Sequence, residues 1–161
     1  SDSHTAHYGF RMTTEADARR QIEPYRDTDF SRIYFEAGGG DMLLHLSKIG
    51  RIPTLDGVED FGRQGDRMFS ESWRIFRDKG VDPFQVALEH AHKLGLEFHG
   101  CYRVAGFHYP PPLDGGGSRA TFYSYHPELR GVDFSGNQTP RLAYTYPEVR
   151  RLVVSLLREI A

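Results

Sequence analysis

The chain is expected to fold as a partial (β/α) TIM-type barrel, an α/β domain of parallel strands that falls short of eight units. Three observations predict it. The strand-like segments Arg32 to Ala37 and Leu96 to Arg103 are separated by helical periodicity, the order that parallel βαβ units require. Gly80 to Arg103 reads as a helix-then-strand unit ending in polar side chains, as barrels present chemistry at the C-terminal mouth of a strand. A final amphipathic helix ends at Ala161, where another strand would begin. A complete barrel takes about 250 residues, and this chain has 161. Residues 1–161 are therefore read as one domain, a slice of a barrel.

The elements follow in order. Ser1 to Met12 carry no periodic signal. Thr14 to Arg26 is a helix opened by Thr13 or Thr14, with Glu15 and Asp17 in the first turn to complement the helix dipole. Arg32 to Ala37 is a strand with Ile33 and Phe35 on one face and Tyr34 and Glu36 on the other, ended by Gly38, Gly39 and Gly40. Met42 to Arg63 is a long connection with a short helical piece around Leu43 to Lys48. Asp66 to Lys79 is a helix with Phe69, Trp73 and Phe76 on one stripe and Gly80 at its end. Asp82 caps the next helix and Pro83 sits in its first turn. Phe84, Ala87, Leu88 and Ala91 recur at helical spacing, and Gly95 stops the helix.

In the strand that follows, Leu96, Phe98, Gly100 and Tyr102 point one way, and Glu97, His99, Cys101 and Arg103 the other. Val104 to Pro140 is an extended loop rich in Gly, Pro and aromatics, longer than the usual connection. Thr145 to Ala161 is a helix with a Thr145/Glu148 capping box and Pro147 in its first turn. Its apolar stripe is Val149, Leu152, Val153, Leu156, Leu157 and Ile160.

Bulk properties remove several classes of function. A net charge of −2 argues against nucleic acid or an anionic membrane as partner, because both need a concentrated basic surface. No apolar run approaches the roughly 20 residues of a membrane span. Cys101, the single cysteine, excludes an intrachain disulfide and leaves the compartment open. No leader segment is visible, and the chain opens on Ser1 rather than Met, so a processed boundary is expected.

The chemistry is expected at the strand ends. Glu36 closes the first strand on the face away from Ile33 and Phe35, where barrel enzymes place acids, bases and nucleophiles. Its plainer role is to anchor a loop. Arg103, nearest the end of its strand, would bind an anionic or hydroxyl-rich substrate with His99 one layer below, while Glu97 completes a polar network inside the barrel. A Cys101–His99 nucleophilic pair is disfavoured by roughly 6–7 Å between alternate strand residues; Cys101 is read as a small buried filler. His90 and His92 fall on a helix, where positions two apart diverge, so no metal is expected from them. Within the long loop, His108, Tyr109, Asp114 and His126 are the expected substrate-binding residues, aromatics offering flat faces to sugars and a carboxylate accepting from their hydroxyls.

Three segments, GVDPFQVALEHAHKLGLEFHGCYR, YHPELRGVD and LAYTYPEVRRLVVSLLREI, together resemble the glycosyl-hydrolase-like (family-10-like) proteins of the TIM-barrel superfamily. His92, Gly95, Leu96, Glu97, His99 and Arg103 match the strand pattern of that group. His126, Pro127 and Glu128 match its loop motif, with Leu129 in place of tryptophan, and Tyr146 to Arg150 match a helix that follows. The resemblance implies a TIM barrel, catalytic carboxylates on strands beyond Ala161 and an opening strand before Thr14. A partial barrel would then close its sheet by self-association, which makes a homo-oligomer the expected state.

The leading expectation is a glycoside-hydrolase-like domain that binds or hydrolyses a carbohydrate at the strand C-terminal face, with Glu36 and His99 catalytic and no cofactor. One alternative is a small ester or phosphoester hydrolase using His99 with Arg103 as anion clamp, with or without a metal. The other is a non-catalytic carbohydrate-binding or structural fragment.

Overall fold

A computed structural model of the chain describes residues 11–61, 64–104 and 121–161. Helix α1 (Glu15–Arg20) starts at a true capping box: Thr14 accepts from the Asp17 N–H while the Asp17 carboxylate accepts from the Thr14 N–H. A single 3₁₀ turn, Glu23–Tyr25, replaces the rest of the expected helix, because Pro24 sets a turn. Strand β1 (Arg32–Gly39) runs two residues into the triple glycine, and β2 (Met42–Leu43) folds back antiparallel on its end. Leu43 to Lys48 is therefore not helical. Helices α2 (Gln64–Lys79) and α3 (Pro83–Lys93) carry the chain over to β3 (Glu97–Arg103), which pairs parallel with β1.

From residue 121 onward come a five-residue helix α4 (Thr121–Tyr125), a 3₁₀ turn (Pro127–Leu129) and the antiparallel hairpin β4 (Arg130–Val132) and β5 (Gln138–Leu142), where an extended loop was expected. Helix α5 (Pro147–Ile160) closes the described chain.

The described residues form a small α+β arrangement with two separate sheets, β2-β1-β3 and β4-β5. It corrects the expected partial (β/α) TIM-type barrel: among the described residues one strand pair is parallel, β2 and the hairpin are antiparallel, and neither sheet closes. The helix-then-strand periodicity does encode a crossover from β1 to β3. It cannot encode how many further strands join them. The hairpin escaped notice inside Val104 to Pro140 because RGV and QTPRL lack the apolar alternation that marks a half-buried strand.

Burial explains which residues make which element. The apolar face of β1 and β3 packs on α3: Ile33, Phe35 and Ala37 meet Phe84, Ala87, Ala91 and Leu96. Phe84 and Phe98 stand edge to face at 5.3 Å. Gly100 is where α5 approaches the sheet, since a Cβ built there would lie 2.7 Å from Ile160 Cγ2. The α2 stripe of Phe69, Trp73 and Phe76 is fully buried, as its spacing requires. In α5 Val149, Val153 and Leu156 are buried, Leu152 and Ile160 are half-buried against the two cores, and Leu157 is exposed; Val149, Leu152 and Val153 pack with Tyr123, Leu129 and Leu142. The expected Thr145/Glu148 capping box is absent: Tyr146 is the N-cap and makes no side-chain cap bond.

Asp82 does cap α3, accepting from the Phe84 N–H at 2.9 Å. Its other oxygen accepts from the Leu46 N–H and ties the loop after β2 to the same helix end. Among the described residues no helix is long and apolar enough to cross a membrane.

Candidate functional site

Parallel register places Arg32 beside Glu97, Tyr34 beside His99, Glu36 beside Cys101, and Gly39 beside Arg103. Because side chains alternate along a strand, these polar groups share the face of the sheet opposite α3. No helix of the described chain covers that face. Apart from the buried Glu36 it is an open ladder in solvent, where the barrel expectation placed it inside a closed core.

Three rungs define the ladder. At the N-terminal end Arg32 Nε meets Glu97 Oε2 at 2.5 Å. Glu97 also contacts His99, and its carboxyl is held below the usual range by the Arg32 bond first and His99 second. At mid-strand the Tyr34 ring, 55% exposed, stacks on His99 with centroids 5.2 Å apart and planes 25° off parallel. At the C-terminal end Arg103 Nε lies 2.8 Å from Glu36 Oε1 as an ion pair without an aligned hydrogen bond. The two partners differ sharply in environment, the Glu36 side chain being 6% exposed and the Arg103 side chain 64%.

The end of the ladder is fixed by the corner that follows β1. Gly38 adopts φ +124°, and a Cβ there would lie 2.4 Å from the Met42 carbonyl oxygen. The Gly40 N–H donates to the Arg103 carbonyl, and the Tyr102 hydroxyl donates to the Gly40 carbonyl at 2.6 Å. Burial pushes the Tyr102 phenol well above its ordinary value, so it stays a donor. Next in sequence, Asp41 is buried and accepts from the Phe122 N–H at 2.7 Å, which anchors the start of α4.

Of the sequence-predicted residues, the fold brings Glu36, His99 and Arg103 to one face. His126 is elsewhere, paired with Glu128 at 2.9 Å and tilted against the Phe122 ring with centroids 4.4 Å apart. His108, Tyr109 and Asp114 lie outside the described residues. Cys101, read as a buried filler, is exposed on the open face, and Glu97 is a surface group and no part of an enclosed network. His90 bonds Glu23 across to α1's 3₁₀ extension at 2.6 Å. No three His, Cys, Asp or Glu side chains converge as a metal site among the described residues. Arg32 and Tyr34 were missed as ladder members, although the alternation around Ile33 and Phe35 already set Tyr34 opposite the core. Asp41 gave no signal, since its burial depends on α4.

The chain matches no protein-family model and no curated protein. Together with the two-sheet architecture, this overturns the resemblance to glycosyl-hydrolase-like TIM-barrel proteins. The matched tripeptides and alternating strand are short patterns that unrelated helix–strand units also produce.

Proposed function

We propose that the chain binds a carbohydrate on the open face of β1 and β3. One observation carries this reading: a solvent-facing Tyr34–His99 stack set between two arginine–carboxylate pairs. The aromatic surface suits the C–H face of a sugar ring, and the flanking charged groups accept from and donate to its hydroxyls.

Binding is favoured over hydrolysis by spacing. Glu97 stands opposite Arg32, four residues along β1 from Glu36. At about 3.3 Å per residue, the two carboxylate positions are roughly 13 Å apart. Glycoside hydrolases hold theirs at about 5–5.5 Å or 6.5–9.5 Å. Glu36 and His99 thus serve recognition in this reading. Arg103, already turned to Glu36, is a poorer anion clamp than the ester or phosphoester alternative needs.

Calorimetric titration with a panel of neutral oligosaccharides tests the proposal. Tyr34→Ala is expected to weaken binding about tenfold or more, since losing a stacking face forfeits roughly 1.5 kcal/mol. Unchanged affinity in that variant, or a panel that does not bind at all, sinks it.

Among the described residues β3 pairs only with β1 and leaves its other edge unpaired. Two copies joined edge to edge would satisfy those backbone groups, and this is the expected homo-oligomer. Light scattering checks it, a dimer mass being the expected outcome and a strict monomer the contrary one.

A further inference from the structure

We infer that the cleft beside the β1–β2 corner is a second carbohydrate subsite, sized for a single pyranose. The ligand class rests on the reading of the open face given above. The cleft has a volume of about 350 Å³ and is lined in part by Asp41, Ile49, Arg51, Phe122, Tyr125 and His126. That lies at the small end of the roughly 300–1,000 Å³ typical of ligand sites. Neither Glu36, His99 nor Arg103 lines it, so it is distinct from the ladder.

Asp41 is 7% exposed, with one oxygen spent on the Phe122 N–H. The other, Oδ1, is buried and has no hydrogen-bond partner among the described residues. A buried acceptor left unpaired is uncommon and unfavourable, and a ligand hydroxyl donating from the cleft would satisfy it. The remaining wall suits the body of a sugar. Phe122 and His126 lie against each other with centroids 4.4 Å apart and planes tilted by 40°, Tyr125 presents an exposed ring, and Ile49 adds an apolar edge.

Amide-resolved NMR titration of the full chain with methyl gluco-, galacto- and mannopyranoside tests this, with cyclohexylammonium as the cationic control. A pyranoside is expected to shift the amides of Asp41, Arg51, Phe122 and His126. Asp41→Asn keeps an acceptor for the Phe122 N–H but can turn an N–H toward the cleft, and should weaken that response about tenfold. Tyr125→Ala, a surface change that spares the core, should weaken it in the same direction. Silent cleft amides, shifts that persist unchanged in both variants, or a response to cyclohexylammonium alone would each overturn the subsite. The ladder amides report separately: if they stay silent while the cleft responds, the subsite stands and the open-face proposal falls.

Discussion

Replacing Gly38 by alanine is expected to destabilise the chain by about 3 kcal/mol or more, combining a positive-φ penalty with overpacking. Gly38 holds φ +124°, and the nearest atoms to a new Cβ are backbone, Met42 O at 2.4 Å and Leu43 Cα at 2.8 Å. Backbone cannot rotate aside as a side chain can. The corner itself must move, carrying β2 and the Gly40–Asp41 turn that ties to Arg103 and Phe122. In urea the midpoint should fall by roughly 1–3 M for ordinary slopes. Saccharide-induced shifts at the Asp41 cleft should be lost at urea-free conditions as well. A midpoint equal to that of the parent chain would show that this corner tolerates a side chain, contrary to the geometry.

Trp73→Ala is expected to be the most damaging change in the interior. Trp73 is fully buried and stands edge to face with Phe69 at 6.5 Å and Phe76 at 6.3 Å. Deleting a buried tryptophan typically costs 3–5 kcal/mol, transfer and cavity terms together. For a chain of this size each kcal/mol lowers Tm by about 2–4 °C, so a fall of roughly 6–20 °C is expected by circular dichroism. Trp73→Phe, which leaves a smaller void, should lose less than half as much. Equal losses in the two variants would mean that volume is not what Trp73 contributes. As the one tryptophan of the chain, Trp73 also reports parent unfolding by its own emission.

Helices α2 and α3, strand β1 and strand β3 were legible because each depends on neighbours within a few residues. The Phe69, Trp73 and Phe76 stripe needs only helical periodicity, and the Asp82 cap needs only the amide two positions on. The alternation of β3 likewise separates Phe98 and Tyr102 from His99 and Arg103 without knowledge of any partner. The Thr145/Glu148 pattern shows the limit of such local rules, since α5 begins at Pro147 with Tyr146 as its cap. Local signals name an element more reliably than they place its end.

The candidate site was legible in part. Glu36, His99 and Arg103 were picked from strand position and residue type, and the fold does set them on one face. Their partners could not be picked, because register between β1 and β3 joins residues about 65 positions apart, as in Arg32 with Glu97. The Asp41 cleft needed still more, the docking of α4 onto a turn 81 residues earlier.

By itself, then, the sequence determined that α2, α3 and α5 are helices, that β1 and β3 are strands, and which side of those two strands is polar. Side-chain chemistry repeating at 3.6 or 2 residues suffices for that. Only the tertiary structure decided that β2 turns back on β1, that a hairpin forms a second sheet, and that the polar face of β3 looks into solvent instead of a barrel. Those outcomes depend on contacts between distant segments, whose free energy leaves no periodic mark on the chain.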